Sequence, residues 1–290
     1  MLELYTVTKQ PTSRVRGALV FFATLMSMFL CLSANGQDSP ATLRGLEIFQ
    51  EADRRQSGFQ DMLVNLTMVL RNRKGAAVER ELDLKQLEVP EGGDRLMVVF
   101  NTPKAIRGTA LLSHGQLTRE DDQWLYLPAL KRVKKIASRN RSGPFLGSEF
   151  SYEDLSTQEV VKYSYQFLRE EACGDQDEQS CLVVERRPGP NLYSGYVRQV
   201  FWIDSEHFRT LKVDYYNRGD RLTKTLVGSD FQQFSVGGED AKRTLWKTGR
   251  MMMTNHVTGK STELKWDNFK FGSGLSAERD LSTTSLRRVR

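Results

Sequence analysis

Side chains that could perform catalysis are few and widely separated in this chain of 290 residues. Ser148 lies in the sequence Leu-Gly-Ser-Glu-Phe, and not in the Gly-x-Ser-x-Gly turn of serine hydrolases. Glu153 and Asp154 are adjacent and diverge on a strand, so we expect them to cap or to pair with a nearby basic segment. The histidines lie in three different segments without metal-ligand spacing: His114, His207 and His256. The sequence therefore predicts no enzyme, no metal site and no cofactor.

The chemistry that the sequence favours is binding through charge. Between Gln123 and Ser148 there is no acid, and a basic cluster is formed by Lys131, Arg132, Lys134, Lys135, Arg139 and Arg141. Like charges repel one another, so a dense group of them is usually kept for a partner. We interpret the cluster as a contact for an anionic lipid head group, a membrane surface or an acidic protein. The alternative is a solvated loop that only aids solubility.

Large apolar residues border the basic cluster, and this combination suits an amphiphile with an anionic head. Our candidates for the wall of an acyl-chain cavity are Trp124, Tyr126, Leu127, Phe145, Leu146, Phe150, Trp202 and Met252. Ordinary core packing is the alternative for all of them, because large apolar residues usually pack in the core. Glycines and a proline around Phe145 and Leu146 predict turns that expose both residues at a loop tip, with a mobile gate as the other reading. Met252 lies in a run of three methionines, of which only one or two can point inward on a strand.

The N-terminus has the pattern of an export signal. Two arginines precede an uncharged apolar run at 17–32, and the small residues Ala34 and Gly36 suit cleavage before Gln37. The run is shorter than the roughly 20 residues that cross a bilayer, so an uncleaved anchor is the less favoured reading. The sequence thus predicts a signal peptide at 1–36 and a periplasmic protein.

The export signal argues against nucleic acid, a partner that the positive charge alone would allow. The whole chain carries a formal charge of +6, from 42 basic and 36 acidic residues. Loss of residues 1–36 removes three basic residues and one acid, which leaves +4. An exported chain with this mild positive charge is not expected to bind nucleic acid.

Two cysteines remain after cleavage, and their spacing predicts a disulfide. Cys173 and Cys181 flank seven mostly polar residues in a chain that is predicted to be exported. The spacing differs from the CxxC motif of redox proteins, and no histidine lies nearby to complete a zinc site. We expect a bridge that closes a short loop and stabilises the fold by about 2 kcal/mol.

Hydrophobic periodicity predicts a mainly β protein with one good helix. Apolar residues recur at helical spacing over 41–55, with charges between them. Several strands are apolar on both faces, so each face of the sheet needs a cover from helical plugs, sheet curvature or a ligand. We expect one domain at 37–272 and a polar C-terminal tail at 273–290. The strands outside the region already described are predicted at 61–70, 78–87, 95–100, 196–203, 210–216, 221–227, 245–254 and 262–266.

A longer pattern of motifs runs through most of the mature chain. The helix carries Ala52-Asp53-Arg54, and further motifs follow at 100–103, 104–112, 124–133 and 145–155. Their order resembles that of the LolA-like outer-membrane lipoprotein-sorting proteins, in the larger branch that contains the spirochaetal lipoprotein-type domain. The resemblance implies a curved, incompletely closed antiparallel β-barrel with helices as a lid over an apolar cavity. It also implies a periplasmic protein that binds lipid or the acyl chains of lipoproteins, and it carries over no functional residue.

Two hypotheses about function follow. The first is a periplasmic carrier whose cavity binds acyl chains, while the basic cluster contacts head groups or the membrane surface. The second is a non-enzymatic accessory module of an envelope lipid-transport complex, with an inner-membrane transporter or an outer-membrane protein as its partner. A cavity of several hundred Å³ would support the carrier, and a filled interior would support the accessory module.

Overall fold

The computed structural model describes residues 39–174, 179–237 and 242–289. The predicted signal peptide at 1–36 lies outside these residues. The described helices are α1 (Pro40–Gln56) and α2 (Ala277–Asp280). The described strands are β1 (Asp61–Arg71), β2 (Ala77–Leu87), β3 (Arg95–Phe100), β4 (Ala110–His114), β5 (Asp122–Leu127), β6 (Arg132–Lys135), β7 (Tyr163–Ala172), β8 (Ser180–Pro188), β9 (Tyr196–Asp204), β10 (Thr210–Asn217), β11 (Leu222–Ser229), β12 (Gln232–Val236), β13 (Arg243–Lys247), β14 (Arg250–Asn255) and β15 (Ser261–Phe271).

Thirteen of these strands form one antiparallel sheet. Their order is β6-β5-β4-β3-β2-β1-β15-β14-β11-β10-β9-β8-β7, while β12 and β13 form a separate hairpin. Neighbours in the sheet are mostly neighbours in sequence, as short hairpin turns dictate. The sheet does not close, because β6 and β7 remain its two edges. The prediction of a mainly β, incompletely closed barrel with a helical lid is confirmed.

Helix α1 lies against the concave side of the sheet. Ser39 caps its first turn by accepting a hydrogen bond from the Thr42 amide at 3.2 Å, and a proline occupies the first helical position. Gly45 lets the helix approach β7 closely, since a Cβ atom there would lie only 2.8 Å from the Phe167 nitrogen. Ile48 is fully buried, and the Phe49 ring packs 4.4 Å from that of Tyr165.

The two faces of the sheet have separate apolar clusters. Alternation along each strand sends one set of side chains to the inner core and the other set outward. The outer cluster of β3 and β4 is covered by the C-terminal segment, whose Leu281 and Leu286 are fully buried. Asp61 fixes the start of this segment, because its carboxylate accepts the amides of Ser273 and Gly274 at 2.7 and 2.9 Å. Residues 273–289, predicted as a polar tail, therefore cover the second apolar face.

The concave side has a second cover besides α1, which is a mostly irregular segment at 143–160 that we call the plug and that contains a 3-10 helix at Tyr152–Leu155. Phe145 and Phe150 of the plug are buried in the inner core, and a backbone hydrogen bond of 2.7 Å joins them. The expectation that Phe145 sits at an exposed loop tip is wrong, because its ring packs 5.6 Å from the Phe100 ring. Arg80 holds the turn of the plug by donating to the Leu146 carbonyl at 2.8 Å.

A buried ion pair joins the residues that directly follow the plug to the residue that precedes β5. Lys162 donates to Asp121, and both side chains are almost completely buried. Arg141 lies beside them, donating to the Asp121 carbonyl at 2.9 Å and pairing with Glu120 at 2.7 Å. Breaking a buried pair of this kind by removal of one partner is costly, so the network holds the plug in place.

The strand predicted at 245–254 is in fact two strands. It is interrupted at Gly249, whose amide donates to the Asp230 carbonyl at 3.0 Å. A Cβ atom at this position would lie 2.3 Å from that oxygen, so the chain turns here and passes from the hairpin into the large sheet. Hydrophobic periodicity does not reveal this break, because apolar residues occur on both sides of it, in β13 and in β14.

The predicted disulfide is confirmed. Cys173 and Cys181 are bonded, with their Cα atoms 4.9 Å apart. The bridge joins the end of β7 to the start of β8, two paired strands at one edge of the sheet.

Candidate binding site under helix α1

A cavity of about 300 Å³ lies between α1 and the concave face of the sheet. The sheet wall follows from strand register, since Phe201, Val213 and Leu226 lie opposite one another on β9, β10 and β11. Phe49 and Ala52 of α1 form the facing wall. Most of the other side chains of the wall are also apolar, among them Val160, Phe208, Leu211, Phe231 and Met251.

A row of polar residues crosses the sheet immediately beside this apolar wall. Arg186, Gln199, Tyr215 and Lys224 are register partners on β8, β9, β10 and β11. Each lies two residues from an inward apolar residue of its own strand, so all four point to the concave side. The row thus gives one side of an otherwise apolar cavity a polar border.

Arg186 is the member of the row that contributes to the cavity wall. It is 4% exposed, and its guanidinium lies 4.2 Å from the centre of the Tyr163 ring and 4.6 Å from that of Phe201. Nε donates to the Gln199 side-chain oxygen at 3.0 Å, and Nη2 donates to the same atom. Among the described residues no carboxylate forms an ion pair with Arg186. A buried cation is therefore held by rings and one neutral amide, with no counter-charge.

The tyrosines around Arg186 do not supply a negative charge. Burial raises the pKa of Tyr163 and of Tyr165 above the ordinary value of a phenol, so both stay neutral. Tyr165 also donates its hydroxyl to the Val160 carbonyl at 3.0 Å, which orients its ring under α1.

The other end of the polar row holds the plug. Lys224 donates to the Glu149 carbonyl at 2.8 Å and to the Ser151 hydroxyl at 3.0 Å. Asp154 accepts from the Ser151 amide at 2.7 Å and from the Tyr196 hydroxyl at 3.1 Å, and burial raises its pKa. Asp154 therefore caps the 3-10 helix Tyr152–Leu155 in a capping box with Ser151, which confirms the expected capping role, and no ion pair joins Glu153 or Asp154 to the basic cluster in the described part of the chain. These groups serve the architecture of the plug.

A second cavity of about 510 Å³ adjoins the first, and the two share Asp53, Gln56 and Gln158 in their walls. Its lining has an acidic character, because Glu88, Asp94 and Glu159 join Asp53. Two cations oppose them, Arg243 and Lys247. The pair of cavities therefore combines an apolar section next to Arg186 with a section rich in carboxylates.

Burial shifts the titration of several groups in the second cavity. It raises the pKa of Asp94 to about 6, although hydrogen bonds from the Val89 amide and the Gln86 side chain oppose this shift. It lowers the pKa of Lys247 to about 8, since an ammonium group loses its hydration there. Lys247 donates to the Gln56 carbonyl at 2.9 Å, so it also fixes the end of α1.

The sequence-predicted cavity residues are distributed over three places. Phe145, Leu146 and Phe150 pack within the plug and the inner core, and they do not line either cavity. Trp124 and Tyr126 pack on the outer face under the C-terminal segment. Side chains alternate along β5, so the inward positions are the ones next to these two residues. Leu127 is half-buried at the end of β5 and belongs to neither apolar cluster.

Trp202 and Met252 also lie outside the cavities. Trp202 points outward, since its neighbours Phe201 and Ile203 point inward, and its indole nitrogen donates to Glu171 at 2.6 Å. In the methionine run, Met251 and Met253 belong to the inner core and Met252 does not. The prediction that the run alternates was correct, but the inward members are the other two.

The basic cluster lies at one edge of the sheet and is not uniform. Arg141 is buried in the network with Glu120, whereas Lys135 is 61% exposed and pairs with Asp122 at 2.6 Å. The remaining four members are also exposed, and in the described part of the chain they form no ion pair: Lys131, Arg132, Lys134 and Arg139. Cations on an edge strand also prevent edge-to-edge pairing of sheets, so this arrangement has a structural use as well.

The histidines are engaged separately, as their spacing predicted. His114 contacts the Leu281 carbonyl at 2.8 Å, His207 stacks on Trp246, and His256 contacts the Thr225 hydroxyl at 2.8 Å. Within the described ranges, no three histidine, cysteine or acidic side chains are placed to hold a metal ion.

Sequence reasoning missed Arg186, although a signal for it exists. Leu182, Val184 and Arg186 occupy alternate positions of β8, and the first two are inner-core residues. A cation on the inward face of an apolar strand is unusual, because an unpaired buried charge is expensive. The inward face of β8 could not be assigned before the sheet order was known.

Comparison with known proteins gives the family. Residues 92–288 match the profile of a family whose description reads "Uncharacterized protein". No curated protein matches the chain. None of the described helices has both the length and the apolar character needed to span a bilayer.

Solved structures resemble the chain over most of its length. A domain from Vibrio parahaemolyticus assigned to outer membrane lipoprotein sorting is 44% identical, with a TM-score of 0.77, and the match covers 85% of this chain and all of that one. A DUF1329 family protein from Desulfovibrio piger is 26% identical, with a TM-score of 0.76 and coverage of 86% and 100%. A LolA superfamily protein from Nitrosomonas europaea, 18% identical with a TM-score of 0.64 and coverage of 83% and 98%, shares the fold. The chain therefore belongs to the outer-membrane lipoprotein-sorting family of the Vibrio parahaemolyticus domain, and its fold is that of the LolA superfamily protein.

Proposed function

We propose that the protein is a periplasmic carrier that binds the acyl chain of a lipid or lipoprotein in the cavity under α1. The observation that carries this proposal is the cavity itself, about 300 Å³ in volume and walled mainly by apolar side chains. This volume is at the lower end of the range for ligand pockets. Each methylene buried there would contribute about 0.8 kcal/mol, so a chain could bind without specific polar contacts.

Family membership and location support the same reading. The Vibrio parahaemolyticus relative is assigned to outer membrane lipoprotein sorting, and it aligns along its whole length. The predicted export signal and the disulfide fit an oxidising compartment such as the periplasm. The exposed members of the basic cluster would then face an anionic membrane surface during loading or release.

Cavity-blocking variants test the carrier. Ala52 is a small residue on the cavity side of α1, so Ala52→Trp should fill the space and abolish uptake of a fluorescent fatty acid. Gln50→Trp on the exposed side of the same helix is the matched control and should bind normally. Native mass spectrometry of the protein purified from the periplasm should show an acyl ligand in the parent chain. Absence of any acyl ligand at micromolar concentrations would reject the proposal.

A second candidate, the accessory module of an envelope lipid-transport complex, is supported by the plug. Phe145 and Phe150 fill the concave side away from α1, so part of the interior has no room for a ligand. If the protein is such an accessory module, Ala52→Trp should leave lipid transport across the cell envelope intact. It also predicts that charge reversal at Lys134 and Arg139 weakens recovery of a membrane partner.

A further inference from the structure

Arg186 presents an unsatisfied charge to the cavity. Its Nε and Nη2 groups are used by Gln199, whereas Nη1 has no hydrogen-bond partner among the described residues. Nη1 keeps some solvent-accessible surface, and Arg186 is one of the residues that line the cavity. Loss of hydration is costly for a buried guanidinium, and the rings and one amide offset only part of this cost.

The carboxylates of the surroundings are engaged elsewhere. Glu153 accepts from the Ser194 hydroxyl at 2.6 Å and the Gly195 amide at 3.0 Å, and Asp154 is held by Ser151 and Tyr196. Asp53 is the acid on the wall of the first cavity, at its boundary with the second one. None of these acids forms an ion pair with Arg186 in the described part of the chain.

Charge in the two cavities is therefore polarised. The positive end is Arg186, because Lys212, the other cation that lines the first cavity, pairs with Asp214 at 3.2 Å. The second cavity carries Asp53, Glu88, Asp94 and Glu159 against two cations. An anionic group would be repelled by the second cavity and attracted to Arg186, where the low dielectric strengthens the interaction. A cation would have the opposite preference.

We propose that Arg186 is the receptor for one anionic group, a carboxylate or a phosphate ester, on an amphiphile whose acyl chain occupies the cavity under α1. The two N–H groups of Nη1 suit such oxygens, and Gln199 orients the guanidinium by accepting from Nε and Nη2. The ligand class is then an acidic amphiphile in place of a neutral lipid. This inference rests on the proposed carrier function, because it assigns the head group of the same ligand.

The test compares amphiphiles that differ only at the head. We expect the parent chain to bind a long-chain fatty acid about 10- to 100-fold more tightly than the alcohol of equal length, as one charge-assisted hydrogen bond would give. A lysophosphatidic acid of that chain length should also be preferred. Inorganic phosphate and acetate serve as anions without a chain and should bind far more weakly than either amphiphile. Equal affinity for free anions would overturn the assignment to an amphiphile.

The variants identify the residue. Arg186→Met should lose the preference for the acid while binding of the alcohol persists. Arg187→Gln is the matched control, since it removes the same charge from the next residue, which is exposed on the other face. Gln199→Glu is a second variant in case Arg186→Met does not fold, because it supplies an internal counter-charge and should reduce the preference in the same way.

The outcomes are separable. A parent chain that binds acid and alcohol equally would overturn the role of Arg186 and leave the carrier intact. Retention of the preference in the folded Arg186→Met or Gln199→Glu variant would do the same. A parent chain that binds neither amphiphile would instead reject the carrier function on which the inference rests.

Discussion

Gln199 is the hydrogen-bond partner of Arg186, and one side-chain oxygen accepts both guanidinium donors from the directly opposed position on the neighbouring strand. The amide is neutral, so it orients the cation without cancelling its charge. A substitution at residue 199 should therefore change both the affinity for anions and the stability of the fold.

We expect Gln199→Glu to raise the free energy of unfolding and to weaken anion binding at the same time. The carboxylate would replace a neutral acceptor by a charged one, which is worth about 1 kcal/mol or more in a hydrogen bond. Urea unfolding at pH 7 measures the first effect, and titration with a fatty acid measures the second. Gln166→Glu, on the exposed side of β7, is the control and should change neither quantity. A less stable variant with normal anion binding would show that Gln199 has no such role.

A side chain at Gly45 should weaken the packing of helix α1 against the sheet. Helix propensity alone would make Gly45→Ala stabilising by about 1 kcal/mol. A Cβ atom would, however, lie 2.8 Å from the Phe167 nitrogen and 2.9 Å from the Gln166 nitrogen, and backbone atoms cannot rotate away. We expect a net loss of about 1–3 kcal/mol, as for overpacked cores, together with weaker acyl binding.

Thermal melting and fatty-acid uptake measure the two effects of Gly45→Ala. Gln50→Ala, on the exposed side of the same helix, should change the stability by no more than about 0.5 kcal/mol. An increase in melting temperature for Gly45→Ala would mean that propensity outweighs the close approach.

The sequence predicted the fold far better than the site. Helix α1 and most strands follow from periodicity, and the motif order led to the correct family. Trp124 and Trp202 were predicted in the cavity wall but lie on the outer face of the sheet. The sequence of a strand that is apolar on both faces does not indicate which face is inward. That choice depends on what covers each face, and here the C-terminal segment covers Trp124. The cavity itself joins α1 to β9 and β10, elements about 150 residues apart in sequence, so no local pattern could reveal it.

Stability should depend on pH through Asp94. Its pKa rises from 3.8 in the unfolded chain to about 6 in the fold, so the fold favours the protonated form. The contribution of Asp94 to the free energy of unfolding is therefore complete below about pH 4, and it is lost as the pH rises through about 6. We expect Asp94→Asn, which keeps an acceptor for the Val89 amide, to flatten the decline of the free energy of unfolding between pH 4 and 6.

Urea unfolding at pH 4, 5, 6 and 7 checks this dependence for the parent chain and the variant. Burial also raises the pKa of Glu159 nearby, so part of the decline should survive in Asp94→Asn. Asp267→Asn, at an exposed position of β15, should leave the profile unchanged. If the free energy of unfolding depends on pH in the same way in the parent chain and in Asp94→Asn, the raised pKa of Asp94 is contradicted.

Loss of the Cys173–Cys181 bridge should destabilise the fold modestly. The bridge closes a loop with a sequence separation of eight residues, for which chain entropy predicts about 2 kcal/mol. The double variant Cys173→Ala and Cys181→Ala should therefore unfold at lower urea concentration, and reductant should shift the parent chain to the same midpoint. Reductant should not affect the double variant. A parent chain that is insensitive to complete reduction would show that the bridge adds nothing to stability.

The exposed members of the basic cluster should govern contact with anionic membranes. Lys131, Arg132, Lys134 and Arg139 lie at one edge of the sheet, next to the apolar Leu130, which is 56% exposed. Each cation near an anionic surface contributes about 1 kcal/mol, so replacing all four by glutamine should strongly reduce sedimentation with vesicles that contain phosphatidylglycerol. The effect should fade at high salt, where such attraction is screened.

A second set of exposed cations provides the control for this membrane contact. Glutamine at the following four positions removes the same net charge from other parts of the surface: Arg221, Lys260, Lys265 and Lys270. If the edge of the sheet is the membrane contact, this control retains most of its vesicle binding. If both sets lose binding equally, net charge alone attracts the protein, and the edge cations serve to prevent strand pairing. Fatty-acid uptake should be unchanged in both sets, because none of these residues lines the cavity under α1.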